Sequence, residues 1–171
     1  MFSFVAALAL SSHLAHAGSE IGTDKKFGIG GSTGDPYIAV TGKYWLNEKS
    51  GIVGTFGTTI VYQTLRVDYE SNIVTFGKDW SFGQLPLYWH ADLEVGAYTP
   101  YYGLYPRFAV GGGVGVALQF DSIPAEVFSN VGLTGGYSSF CGNSYGGAYG
   151  TGFALFCYIN PIATLGGRWY F

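Results

Sequence analysis

Four acidic residues and one histidine have the spacing that acid–base chemistry requires. Asp68 and Glu70 are two residues apart, as are Asp92 and Glu94, and His90 precedes the second pair. Two carboxylates could serve a glycosidase, and a histidine beside an acid could activate a serine nucleophile. A hydrolase would also need a nucleophile beside His90, whereas alanine and aspartate follow it. The spacing alone therefore does not establish an active site.

Basic residues on the same faces of the predicted strands favour ion pairing over catalysis. We expect one face to carry Lys43, Arg66, Asp68, Glu70, Asp92, Glu94, Arg107, Glu126 and Arg168. Four positive and five negative groups suit a closed interior, in which each buried charge needs a partner. We predict a charge network that lines a lumen, with a hydrogen-bonding role for His90 and no enzymatic activity.

The two cysteines of the chain, Cys141 and Cys157, bracket a segment rich in glycine and tyrosine. An exported chain with two cysteines most simply forms one disulfide, which would contribute about 3 kcal/mol by closing this loop. A stiffened loop would either resist proteolysis or present a surface to a partner. No histidine or further cysteine lies nearby, so we predict no metal site. The glycine clusters match neither a dinucleotide fingerprint nor a P-loop, so we predict no cofactor.

Residues 1–17 have the pattern of a secretory signal peptide, with a short apolar run and the ending Ala15-His16-Ala17. Residues 18–171 are then expected to form one domain. Only 11% of the residues are charged, 18% are aromatic and 28 are glycine. After residue 17 no stretch reaches the roughly 18–20 apolar residues that a transmembrane helix requires. The net charge of −3 argues against a nucleic-acid partner held by a basic surface.

Period-two alternation recurs along the chain and predicts an all-β fold. The eight predicted strands are 26–32, 37–47, 51–58, 60–71, 86–98, 105–120, 124–136 and 162–171. Two longer connections remain, at 72–85 and 137–161. If these also formed strands, the barrel would have ten strands instead of eight.

Each predicted strand has one apolar and one mixed polar face. In the fifth strand Trp89, Leu93 and Val95 oppose His90 and Asp92. An antiparallel barrel with its apolar face in lipid explains this pattern, whereas a soluble exported barrel that binds an apolar ligand would reverse it. The inward glycines of the sixth strand are expected to make room for bulky neighbours such as Trp45, Tyr62 or Arg168.

The last eight residues, TLGGRWYF, resemble the C-terminal signal that the barrel assembly machinery reads on outer-membrane proteins. Gly166, Trp169 and Phe171 occupy the signal positions. Together with the signal peptide, strand count and alternating faces, this ending makes the chain similar to the small OmpA-like eight-stranded outer-membrane β-barrels. The resemblance implies an up-and-down transmembrane barrel in the outer membrane of a Gram-negative-type bacterium.

The function implied by this resemblance is structural or adhesin-like, with binding at exposed loops. Its partners would be outer-membrane lipid, the assembly machinery and an extracellular partner at loop 137–161. The alternative is a narrow porin-like channel for small solutes or ions.

Overall fold

In the computed structural model, eight antiparallel strands pair in sequence order and close into a barrel, with β1 hydrogen-bonded to β8. The structure describes residues 20–34, 37–99, 104–138 and 158–171. The strands are β1 Phe27–Gly34, β2 Tyr37–Trp45, β3 Ser50–Thr58, β4 Tyr62–Phe76, β5 Gly83–Tyr98, β6 Tyr105–Phe120, β7 Ala125–Ser138 and β8 Tyr158–Tyr170. The prediction of eight strands is confirmed, and the ten-strand alternative is wrong because closure between β1 and β8 is complete with eight.

The barrel has two ends that differ in their connections. At the lower end, where β1 begins, lie the connections 46–49, 77–82 and 121–124. At the upper end lies the connection 59–61, and β1, β5 and β7 also end there. Among the described residues no helix is long and apolar enough to cross a membrane.

Asn47 forms the turn between β2 and β3. Its Oδ1 accepts hydrogen bonds from the backbone N–H of Lys49 at 2.9 Å and of Ser50 at 3.0 Å, and from the Ser50 hydroxyl at 3.1 Å. Asparagine favours such turns because its short side chain can replace a backbone acceptor. This turn fixes the register in which Tyr44 lies opposite Ile52.

The connection predicted at 72–85 is much shorter in the structure. β4 continues to Phe76 and β5 begins at Gly83, so that six residues connect them. The register shifts between Asn72 and Val74, which marks a β-bulge at Ile73. A bulge inserts one residue and interrupts the alternation, so period-two counting ends the strand too early. Gly77 begins the turn with a φ of 70°, which glycine adopts without strain.

Several predictions fall on residues that the structure does not describe. The predicted signal peptide at 1–17 lies outside the described residues, as do Cys141 and Cys157. The loop predicted at 137–161 is bounded more narrowly, because β7 extends to Ser138 and β8 starts at Tyr158.

Candidate functional site

The interior of the barrel is polar and charged. Alternate residues of each strand point inward, so the period of the sequence places polar side chains in the lumen. The structure buries eight of the nine predicted network residues, and the ninth, Arg107, is half-buried near the upper end. An interior of this width is filled by side chains in an eight-stranded barrel.

Each of the four lumen bases forms an ion pair with an acid of the described strands. Lys43 Nζ lies 2.7 Å from Glu70 Oε2, and Arg168 Nη1 lies 2.8 Å from Glu126 Oε1. Arg66 Nε lies 3.2 Å from Asp68 Oδ1, and Arg107 Nε lies 3.2 Å from Glu94 Oε1. Pairing of this kind offsets the cost of removing the charges from water.

Arg168 is held on several sides. Its Nε and Nη2 donate to the Thr41 hydroxyl at 3.3 and 3.1 Å, and its guanidinium carbon lies 3.9 Å from the centre of the Phe128 ring. A planar guanidinium can donate in several directions and also stack on an aromatic face. Arg168 thereby links β8 to its neighbour β7 and, beyond β1, to β2.

Lys43 and Glu70 form a second layer with two aromatic rings. The Lys43 ammonium lies 3.8 Å from the centre of the Trp45 ring and 5.4 Å from that of Tyr88. These distances permit cation–π attraction in addition to the ion pair. The Tyr88 hydroxyl donates a short hydrogen bond to Asn130 Oδ1.

Near the upper end, Glu94 accepts a hydrogen bond from the Tyr62 hydroxyl at 3.1 Å beside Arg107. The Arg107 guanidinium also lies 4.5 Å from the centre of the Tyr158 ring. This layer is the least buried of the network.

Asp92 is the fifth acid, and none of the four bases forms an ion pair with it in the described structure. The nearest basic side chain is that of His90, whose Nδ1 lies 3.5 Å from Asp92 Oδ1 and 4.0 Å from Asp68 Oδ1. This three-residue cluster is the part of the lumen that sequence reasoning missed. The charge count could have indicated this cluster, because five lumen acids and four lumen bases leave one acid without a basic partner. His90 lies on the same face.

The glycines of β6 provide the space for this cluster. Gly111 lies opposite Asp92 in the strand register and Gly113 lies opposite His90. A Cβ atom at Gly111 would lie 2.7 Å from Asp92 Oδ2, and one at Gly113 would lie 2.9 Å from His90 Nε2. The side chains nearest Gly111 and Gly113 are thus Asp92 and His90, instead of the expected Trp45, Tyr62 or Arg168. The register of β5 against β6 determines which β5 side chains lie beside these glycines.

The outer surface of the barrel is apolar. Exposed large hydrophobic side chains occur on every strand, and Val67, Leu93, Val110 and Val131 are examples from β4 to β7. This arrangement excludes the reversed alternative, a barrel with an apolar interior and a polar exterior.

Aromatic rings occupy the outer surface toward both ends. Near the lower end Phe27 lies opposite Tyr44, Tyr44 opposite Ile52, and Ile52 opposite Tyr69 in the strand register. Three of these four neighbouring side chains are aromatic. Phe108 and Tyr137 are opposite each other near the upper end. Trp and Tyr rings are typical of the boundaries of a lipid-facing band.

The three residues of the predicted assembly signal lie on β8 or directly after it. Trp169 and Phe171 are exposed on the outer surface, and Gly166 points inward. A Cβ atom at Gly166 would lie 2.8 Å from Phe128 Cε1.

A closed eight-stranded up-and-down barrel with a charged interior and an apolar exterior has the architecture of the small transmembrane β-barrels. The chain is similar to the crystal structure of the N-terminal β-barrel domain of Pseudomonas aeruginosa OprF. The two share 18% sequence identity with a TM-score of 0.55 over 85% of this chain and 96% of that one. This similarity confirms the expected OmpA-like resemblance at the level of the fold. No protein-family model matches the sequence, and no curated protein matches it.

Proposed function

We propose that this chain is an integral outer-membrane β-barrel with a structural or surface-interaction role. The inverted distribution of polarity carries the proposal: the lumen contains buried ion pairs, while the outer surface is apolar. Lipid favours an apolar exterior, and a closed barrel satisfies its own backbone hydrogen bonds there.

Fractionation of cells that express the chain tests the membrane location. We expect the protein to remain with the outer membrane after alkaline washing, to dissolve only in detergent and to migrate differently on a gel after boiling. A monomer that is soluble in the periplasm without detergent would overturn the proposal.

The proposed surface-interaction role is argued from the long connection between β7 and β8. The connection 139–157 is the longest between strands and carries both cysteines, and loops of this kind are common binding sites. Cells with the full chain are expected to adhere to a host-cell layer better than cells whose barrel lacks residues 142–156. The boiling-dependent gel shift verifies that the shortened barrel has assembled. Equal adhesion of the two would contradict this role.

The proposed signal for the barrel assembly machinery lies on β8 and at Phe171, which follows it. The proposed signal places two aromatic side chains, Trp169 and Phe171, on the outer surface. Replacing Phe171 by serine is expected to lower the amount of assembled barrel, whereas Ser122→Ala in a lower turn is not. Equal amounts of both assembled variants would contradict this proposal.

A narrow channel is the second candidate, because the interior is polar and a cavity of about 460 Å³ opens at the lower end. The cavity is lined by Ile21, Trp45 and Gln119, among others. Current through planar bilayers distinguishes the two roles. A stable opening that Lys43→Met alters and Lys25→Met does not would establish the channel, since Lys43 lies in the lumen and Lys25 precedes β1.

A further inference from the structure

Asp68, His90 and Asp92 form a compact cluster inside the barrel. Asp68 comes from β4, whereas His90 and Asp92 come from β5, and the relevant oxygen and nitrogen atoms all lie within 4.8 Å of one another. The exposed fractions of the three residues are 2%, 3% and 6%. Three potential metal ligands from two adjacent strands are thus enclosed together.

The polar atoms of this cluster lack hydrogen-bond partners. Both ring nitrogens of His90, both carboxylate oxygens of Asp92 and Oδ1 of Asp68 are buried without a hydrogen bond. Buried polar atoms nearly always have a hydrogen-bond partner, because burying one without a partner costs free energy. One such atom from each side chain lies within 4.8 Å of the other two, which indicates a ligand that can accept electron pairs from all three side chains.

The charges lead to the same conclusion. Asp68 lies directly opposite Asp92 in the register of β4 and β5, and like charges in that position repel. Each of the other three lumen acids has its own basic partner, and so does Asp68, which leaves the charge of Asp92 uncompensated by a base. A cation between the two aspartates would turn this repulsion into attraction.

We infer that Asp68 Oδ1, His90 Nδ1 and an Asp92 oxygen bind a divalent transition-metal ion of the Zn²⁺ type inside the lumen. Imidazole and carboxylate together suit such an ion better than they suit Mg²⁺ or Ca²⁺, which prefer oxygen alone. Bonds of about 2.1 Å place tetrahedral ligands about 3.4 Å apart. The distances of 3.5 and 4.0 Å from His90 Nδ1 are near this value, and aspartate χ2 rotation can bring the carboxylates closer.

Neighbouring residues would orient the ligands. Arg66 Nε donates to Asp68 Oδ2 at 3.3 Å and lies 3.2 Å from Asp68 Oδ1, the oxygen that faces His90. Such partners of ligating carboxylates fix their direction. The open faces of Gly111 and Gly113 accommodate Asp92 and His90. The sequence predicts no metal site, so this inference departs from that expectation.

Metal content and spectroscopy of the intact protein test the inference. The chain is produced without a polyhistidine tag in medium with added Zn²⁺, so that the ion is available as the barrel closes. It is then purified in detergent and washed with chelator. We expect about one zinc per chain, with an X-ray absorption spectrum of one imidazole nitrogen and several oxygens.

Matched variants identify the ligands. Asp92→Asn, which preserves size, and His90→Gln are expected to lower zinc affinity at least about tenfold. Asp121→Asn, in the turn before β7, is the control and is expected to retain zinc. The boiling-dependent gel shift verifies that each barrel has assembled. If the His90→Gln barrel does not assemble, the Asp92→Asn variant alone decides the test.

Two results would overturn the site. One is an assembled wild-type barrel without zinc, in which case His90 and Asp92 pair only with each other. The other is zinc binding that Asp92→Asn leaves unchanged. Neither result bears on the proposed membrane location, which fractionation tests separately.

Discussion

Arg168 of the closing strand reaches Glu126 on β7 with 2.8 Å between Nη1 and Oε1, and both side chains are almost completely buried. The pair lies beside the seam at which β8 meets β1 and the barrel closes. Arg168 also donates to Thr41 on β2, so one side chain connects the strands on both sides of the seam. The ion pair therefore anchors Arg168 to β7, and the bonds from Arg168 to Thr41 span the seam.

Removing one partner of this pair is expected to destabilise the barrel strongly. Glu126→Gln leaves the Arg168 charge buried and uncompensated, which costs about 3–5 kcal/mol. Urea unfolding in lipid vesicles, followed by tryptophan fluorescence, measures the loss. The control is Glu20→Gln, which breaks a more exposed pair with Lys25 and is expected to cost under about 1 kcal/mol. Equal effects of the two variants would contradict the role assigned to Arg168.

A side chain at Gly113 is expected to disturb the interior. Its Cβ atom would lie 2.6 Å from the Cα of Gly132 and 2.9 Å from His90 Nε2. Overpacking of this kind costs about 1–3 kcal/mol, so Gly113→Ala should lower the urea midpoint. Gly54→Ala is the matched control, because a Cβ atom there meets nothing within 4 Å. If both variants had the same urea midpoint, the close approach of Gly113 to Gly132 and His90 would not limit the packing of the lumen.

The inward and outward faces of the strands could be predicted from the sequence because the side-chain period of a strand is two residues. His90 and Trp89 are adjacent in the chain, yet the structure buries the first and exposes the second, as the alternation indicates. The end of β4 could not be predicted in this way. The bulge at Ile73 interrupts the period, and the polar residues around it resemble a loop.

The partners within the lumen could not be predicted either, because they depend on register and rotamer. Arg66 forms an ion pair with Asp68, two residues along its own strand, which the cross-strand register does not predict. The charge count identifies an excess acid but does not say which one. Only the register places Asp92 opposite Asp68, with His90 as the nearest basic side chain.

Loss of the Asn47 side chain is expected to weaken the turn between β2 and β3. Its Oδ1 accepts three hydrogen bonds, and each contributes about 0.5–1.5 kcal/mol. Because the turn is partly exposed, water replaces some of them, and Asn47→Ala should cost about 1–2 kcal/mol in urea unfolding. Glu48→Ala in the same turn is the control and should have little effect. A smaller loss for Asn47→Ala than for Glu48→Ala would show that the turn is held by the backbone alone.

A charge on the outer surface distinguishes a lipid environment from water. Val131 lies midway along β7 with 54% of its surface exposed. In a bilayer, arginine at the midplane of a barrel costs about 2–4 kcal/mol, whereas an exposed surface position in water tolerates most changes within about 0.5 kcal/mol. We expect Val131→Arg to destabilise the barrel in vesicles by the larger amount and to reduce the assembled fraction in cells. Ile123→Arg, in a lower turn, is expected to have little effect. If Val131→Arg were equally harmless, the apolar exterior would not face lipid, and the proposed membrane role would fail with it.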